Sequence, residues 1–528
     1  MTGKSAIVFR VISVPLFFLF LFLLQGCSTL KDVKRQSISP DSLRALADAR
    51  LGFSNDLSPY LKAHMKNGSL YVLQDWKIDD SKKIITGSGK KYDAYRNLLS
   101  SGTVEMSEDS VAIFETNTLV NSGSVTALTV FTGITAAVTV FCIINPKACF
   151  GSCPTFYTRD SDTLRLQAEG FSSSISPSME ATDIDALYHS KVDCDEYSLE
   201  MRNEAMETHV VRSANLLCVE KSKKNSRVFC SPDGKFWQCD SIILPQRALG
   251  PEGDCLSLLQ KADGIERFSV ADSANLGEKE FIELDFKNVP GKNSGLILGC
   301  RQTLLSTYLL YQTFAYMGSN AAYWVAQIER NKINVKGNEM LNMLGGIEVQ
   351  VQDLYGNWQS AGFIDEFGPL ATDFHIVPIK GIPEKNTKVR LKMTKGYWRI
   401  DYAALSPVSE AKNLTRLQPE EVLKGGKTDE NARKILCDSS RALVTLPGDT
   451  YELKYRIPSM FKDYELFLES RGYYLEWIRR EWMKEENAAR LAEILLNPEA
   501  ALKRLAPEFK KVEPKMESSF WRSRYAKP

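Results

Sequence analysis

Hydrophobic and polar positions divide the chain into three kinds of pattern. The first is a dense run: residues 11–24 are almost wholly apolar, behind a start that carries Lys4 and Arg10. The second is a series of short segments in which apolar residues recur at every other position, the period of a strand with one buried face. Tyr71-Val72-Leu73 follows the turn Lys66-Asn67-Gly68, an Asn-Gly hairpin signal. Trp76-Lys77-Ile78, Ile84-Ile85-Thr86-Gly87 and Val111-Ala112-Ile113-Phe114 complete that block, which predicts a small barrel or roll. Strands are also predicted at 164–167, 197–201, 209–217, 228–230 and 236–237, with Asp233-Gly234 as one of the intervening turns. Residues 346–353, 388–393 and 398–402 alternate cleanly, as antiparallel strands with one wet face do. The third pattern is helical: residues 488–496 and 499–505 end ahead of Pro498 and Pro507.

Residues 125–144 stand apart, because these twenty residues carry no charge. The length suits a bilayer span, but Thr126, Thr129, Thr132, Thr135 and Thr139 make it less apolar than most. A helix or hairpin buried against the β-domains is the favoured reading, and a second membrane contact is the alternative. An internal echo also appears. Phe281 to Phe286, Val289-Pro290 and Leu296 to Arg301 are followed by an aromatic amphipathic segment, as are Tyr451 to Tyr455, Ile457-Pro458 and Leu466 to Arg471.

The fold class expected is α+β and β-rich: several domains of antiparallel sheets, a small barrel, a jelly-roll-like sandwich, and C-terminal helices. The boundaries expected are a signal peptide at 1–26, a tether with a short helix at 27–58, and a small barrel or roll at 59–120. The apolar segment takes 121–148, an antiparallel β-domain 149–245 and a linker 246–279. A sandwich-like domain with an inserted helix follows at 280–475, then helices at 476–528. A chain of 528 residues with 44% hydrophobic and 25% charged content has ample material for several cores.

The N-terminal run reads as a signal peptide, with a basic start, a short apolar core and a small residue before the cut. Leu24-Gln25-Gly26-Cys27 resembles the lipobox of bacterial lipoproteins, with Gln25 where a small residue is usual. The resemblance implies that Cys27 is lipidated and becomes the N-terminus, and that Ser28 directs the protein to the outer membrane. Removing residues 1–26 takes Lys4 and Arg10 and no acids, so formal net charge goes from +1 to −1. That balance argues against a nucleic-acid partner. Of eleven cysteines, ten follow Cys27, too few in a chain this long for a disulfide scaffold.

Candidate chemistry is sparse. Cys149 and Cys153, four apart and followed by Pro154, are either a structural disulfide or a thiol pair. Soft thiolates suit Cu(I), but redox chemistry needs the second cysteine at a helix start, and Thr155 to Thr158 is β-like. There are four histidines, His64, His189, His209 and His375. Glu207-Thr208-His209 places two potential ligands on one strand face, and Glu180, Asp183 and Asp185 lie upstream as weak metal-ligand candidates. The usual zinc motifs are lacking, so no metal or other cofactor is assigned. Gly87-Ser88-Gly89-Lys90 lacks the earlier glycine of a phosphate loop, since position 84 is Ile, and reads as a glycine turn. No Gly-x-Ser-x-Gly elbow occurs. Trp76, Trp324, Trp358 and Trp398 are candidates for a sugar site, although such residues commonly fill β-cores.

The string Cys149-Phe150-Gly151-Ser152-Cys153-Pro154-Thr155-Phe156-Tyr157 resembles an uncharacterised family of bacterial exported proteins and lipoproteins carrying a Cys-Phe-Gly-x-Cys-Pro motif. Residues 167–172, 180–187 and 468–477 fit the same pattern, so the resemblance extends over most of the mature chain. It implies no assigned activity and no catalytic residue. The expected function is that of a lipid-anchored envelope protein, facing the periplasm or the cell surface, that acts as a scaffold or binds a protein or glycan partner. An enzyme acting on envelope carbohydrate, or a thiol or copper protein using Cys149 and Cys153, is the alternative.

Overall fold

A strand with apolar side chains on both faces needs cover on both sides. In the strand Glu207–Glu220, Val211, Ala214, Leu216 and Cys218 enter one core, while Leu217 and Val219 enter another. The computed structural model describes residues 31–39, 43–44, 60–121 and 153–523, apart from 96, 161–162, 189–194, 290–292, 324–342, 366–367, 381–385, 460–461 and 480. Residues 1–26, Cys27, Cys149, His189, Trp324 and the apolar run 125–144 lie outside the described residues.

Four sheets stack face to face. Layer 1 runs Lys427–Thr428, Glu421–Lys424, Thr450–Arg456, Glu196–Arg202, Thr155–Asp160, Thr163–Glu169. Layer 2 runs Leu414–Leu417, Glu207–Glu220, Tyr464–Glu476, Ala181–Ala186, with Leu443–Thr445 paired to Glu207–Glu220. Layer 3 runs Phe236–Cys239, Arg227–Cys230, Asp373–Lys380, Asn293–Gln302, Trp398–Glu410, Arg267–Phe268, and Phe236–Cys239 also pairs with Trp398–Glu410, closing five strands into a small barrel. Layer 4 runs Gly253–Asp254, Arg247–Gly250, Lys279–Lys287, Asn386–Thr394, Ile347–Gln352, Trp358–Ile364. The pairings are antiparallel except at Cys230 and His375, which meet in parallel.

Layers 1 and 2 enclose one core, with Phe156, Leu199, Leu453 and Tyr455 facing Val211, Leu216 and Leu468. Layers 3 and 4 enclose another, with Leu296, Leu298 and Leu405 facing Ile282, Leu391 and Val349. A third apolar cluster joins the two sandwiches, layer 2 giving Leu217, Val219 and Phe467, and layer 3 Ile297, Phe374 and Ile376. The strand-rich, antiparallel class with C-terminal helices expected from the sequence is the one observed.

Sheet pairing divides the chain differently from its linear order. Glu196–Arg202 pairs with Thr450–Arg456, and Glu207–Glu220 with Tyr464–Glu476, so the outer sandwich is built from residues 153–220 and 414–476. The sandwich of layers 3 and 4 is inserted between them. Residues 246–279, read as a linker, supply strands to that inserted sandwich. The two echoed segments take equivalent places: Lys279–Lys287 and Thr450–Arg456 lie in outer layers, Asn293–Gln302 and Tyr464–Glu476 in inner ones.

Residues 31–121 form a six-stranded sheet in the order Lys31–Ile38, Val111–Asn121, Leu61–Met65, Leu70–Asp79, Ile84–Tyr92, Leu98–Ser107, around Leu61, Leu73, Trp76, Ile85 and Phe114. Its first strand comes from the stretch read as a tether. Gly87 and Gly89 lie inside a strand and not in a turn. A Cβ on Gly89 would come within 2.1 Å of the Val72 carbonyl, so close approach beside the irregularity at Leu73/Asp75 explains the glycine.

The last helix also departs from expectation, since Pro498–Ser523 continues through Pro507 and Pro514. Ala501, Leu502, Leu505, Phe509, Met516 and Phe520 all enter the core of layers 3 and 4, and this burial outweighs the roughly 3 kcal/mol that an interior proline costs. The helix Leu305–Met317 packs there too, its Tyr308 ring 5.0 Å from Phe509.

Replacing Phe467, fully buried and edge-on to Phe236 at 4.9 Å, tests the junction between sandwiches. Phe467→Ala is expected to cost about 3–5 kcal/mol in urea unfolding, lowering the midpoint without changing the slope.

Candidate functional site

Polar side chains at the covered positions of layers 2 and 3 cannot reach water and must find partners. Strand alternation brings Glu207 and His209 together, with His209 Nε2 2.8 Å from Glu207 Oε1 and both fully buried. Asp373 and His375 repeat the arrangement in layer 3, bonded through Nε2 and Oδ2. Sequence reading passed over this second pair, although Asp373-Phe374-His375 carries the same spacing.

Between the pairs runs a closed seam of carboxyls. Glu169 ends a layer 1 strand, and its Oε2 accepts the Leu370 amide at 2.8 Å. The chain opposite is Gly368, where a Cβ would lie 2.0 Å from that oxygen. Burial, reinforced by Glu207, pushes Glu169 up to about 8 against the opposing amides of Leu370 and Ala371. Asp183 rises to about 6 through burial and Asp373, and Asp185 rises well above the carboxylate range through burial, Asp183 and Asp373. Asp373 Oδ1 accepts the Ala186 amide at 2.9 Å and so ties layer 3 to layer 2. Among the described residues Glu169 Oε1 and Asp185 Oδ2 have no hydrogen-bond partner, a cost that a retained proton relieves. Glu476 is pushed up to about 8 by burial despite its contact with Arg479.

The five weak metal-ligand candidates do not form one site. Glu180 is committed to Arg212 at 3.1 Å and Arg471 at 2.9 Å, Glu207 and His209 to each other, and Asp183 and Asp185 to the seam. Among the described residues, no three His, Cys, Asp or Glu side chains form a group suited to a metal ion. Cys153 is buried just before the strand Thr155–Asp160, and burial together with Glu169, Glu207 and Asp183 pushes its thiol well above the usual range. A reactive or Cu(I)-binding thiolate needs the opposite surroundings.

Open concave surface lies elsewhere. A cleft of about 940 Å³ opens where layer 4 meets the last helix, with apolar surface from Leu249 and Phe281 and charge from Glu278, Glu283, Lys395 and Lys503. Phe281 is out of phase in its strand: Ile282, Leu284 and Phe286 point inward, and the Phe281 ring is 41% exposed. The walls are braced from behind. Lys279 Nζ donates to the carbonyls of Met343 and Leu344 at 2.7 Å, and Arg267 bridges Glu252 and Glu280. Of the four candidate tryptophans, Trp76 and Trp398 are core residues, while Trp358 is half-buried on the outward face of layer 4. Phe281 was legible only as an aromatic at an outward position.

Comparison with protein families and with curated proteins gives no match. Solved structures matched include a β-porphyranase of glycoside hydrolase family 86 from Bacteroides plebeius, at 6% identity over 44% of this chain and 37% of that one, TM-score 0.15. A secreted serine protease from Vibrio cholerae matches at 9% over 67% and 74%, TM-score 0.15. A GH31 α-xylosidase from Xanthomonas citri matches at 7% over 78% and 38%, TM-score 0.14. This chain therefore spans little more than a third of the two glycosidases, and scores this low carry no argument about activity.

The seam sets a pH dependence. Glu169 and Glu476 have folded values near 8, above their ordinary value of 4.5, so the folded state binds the extra protons. Their contribution is complete below about pH 4 and is lost as pH rises through 8. Thermal midpoints should fall between pH 5 and pH 9, and Glu169→Gln should flatten that slope, as scanning calorimetry at each pH would show.

Proposed function

We propose that this chain is a lipid-anchored binding protein of the bacterial envelope, held by an acylated Cys27, whose layer 4 cleft takes a saccharide. The cleft lining supports this reading. An outward phenylalanine offers a flat face for the C–H side of a sugar ring, and braced carboxylates and ammonium groups around it suit hydroxyls. A lipoprotein modification at Cys27 would supply the two or more acyl chains that stable anchoring requires. Among the described residues, no helix is long and apolar enough to cross a membrane.

Binding is favoured over hydrolysis by the location of the raised carboxyls. A glycosidase needs a general acid of raised pKa facing its substrate. Glu169, Asp183 and Asp185 are raised, but they are in the closed seam and not in the cleft.

Phe281→Ala should weaken saccharide binding about tenfold in calorimetric titration while leaving the thermal midpoint within a degree or so, since the ring is outside the core. Unchanged affinity would remove the cleft from the reading. Mass spectrometry of the mature chain should find Cys27 as an acylated N-terminus, and Cys27→Ser should move the protein from the membrane fraction to the soluble one.

A further inference from the structure

Beyond the cleft, the outward face of layer 4 carries a ladder of stacked groups. The Arg390 guanidinium lies 4.7 Å from the Phe281 ring centroid and 4.4 Å from that of Trp358. Its Nε donates to Gln350 Oε1 at 2.8 Å, and its terminal nitrogens make no hydrogen bond or ion pair among the described residues. Lys388, two positions away on the same face of Asn386–Thr394, also has no ion pair among them. Of the neighbouring charges, Lys392 pairs with Glu348 at 3.2 Å and Arg247 with Asp285 at 3.4 Å, while Glu283, directly opposite Arg390 in the strand register, has no ion pair among the described residues. Among the described residues the face therefore presents three uncommitted cations, Lys287, Lys388 and Arg390, against one uncommitted carboxylate, Glu283, and Arg390 is clamped between rings.

That clamp matters for recognition. A free arginine loses rotamer freedom when it grips an anion, whereas Arg390 has already lost it to Phe281, Trp358 and Gln350. Phe281, Arg390, Gln350 and Trp358 stand on four neighbouring strands, so the ladder crosses three strand spacings, roughly 14 Å. Ring, planar fork and ring follow one another along that distance. Ring faces suit sugar rings, and the fork suits a carboxylate, which it can hold through two parallel N–H···O bonds.

We propose that this ladder binds the carboxylate-bearing units of an acidic polysaccharide whose chain continues from the cleft, the two regions sharing Phe281. The proposal rests on the reading of the cleft as a saccharide site and adds to it the ligand's charge and length. It is tested with the full-length chain by calorimetric titration of a hexameric oligogalacturonate and of the same oligomer methyl-esterified, which keeps the rings and removes the charge. The free acid should bind at least tenfold more tightly, with an affinity that falls as salt rises. Arg390→Gln should abolish that preference, and Arg390→Lys should fail to restore it, since an ammonium keeps the charge but not the fork. Trp358→Ala should weaken the hexamer and leave a neutral disaccharide in the cleft unaffected. Equal binding of acid and ester, unmoved by Arg390→Gln, would overturn the proposal and leave the cleft reading standing. No binding of any saccharide would overturn both.

Discussion

The structure depends on two sheets that are buried on both faces. Layers 2 and 3 each give one face to a sandwich core and the other to the junction between sandwiches, where Leu217, Val219, Ile297, Phe374, Ile376 and Phe467 meet. Residues at the covered positions of these strands cannot turn to water, so each polar one there needs a local partner. Glu207 with His209 and Asp373 with His375 are the outcome, acid and imidazole two positions apart on one strand. The carboxyl seam has the same origin. Asp183 and Asp185 lie on the edge strand of layer 2, where layers 1, 2 and 3 converge, and exclusion from water raises both, Asp185 further than Asp183.

Stability and recognition are consequently separated in space. The raised carboxyls of the seam are closed off between layers 1, 2 and 3, whereas the cleft lies on layer 4, the wet face of the inserted sandwich. Perturbed titration often marks an active site. Here it marks a joint, because the perturbed groups are buried between sheets, and the layer 4 cleft is lined by other residues.

Period-two alternation made most strands legible, including both members of the internal echo and the clean runs at 346–353 and 388–393. Sheet partners were not legible. Glu207–Glu220 and Tyr464–Glu476 pair across some 250 residues, and alternation says which face is buried without saying against what. The same blindness made residues 246–279 read as a linker, although Arg267 holds Glu252 and Glu280 within a sandwich. Pro507 and Pro514 misled for a different reason: local propensity ends a helix there, and packing of Leu505, Phe509 and Met516 overrides it. At the candidate site, Trp358 and Glu207-Thr208-His209 could be picked out by residue type and spacing. Arg390 could not, because its distinction is the pair of rings that tertiary structure sets around it.

The insertion has a consequence for how the chain closes on itself. Val219 pairs directly with Leu414, so completing layer 2 requires a loop of about 190 residues to bring its ends together, an entropy cost of roughly 5 kcal/mol for a flexible chain. The inserted sandwich removes most of that cost. Its second and last strands, Phe236–Cys239 and Trp398–Glu410, meet at Trp237 and Glu410, which brings the flanking segments to adjacent positions. The insert thus acts as a clasp in the finished structure: while it is folded, the ends that layer 2 must join are held close together.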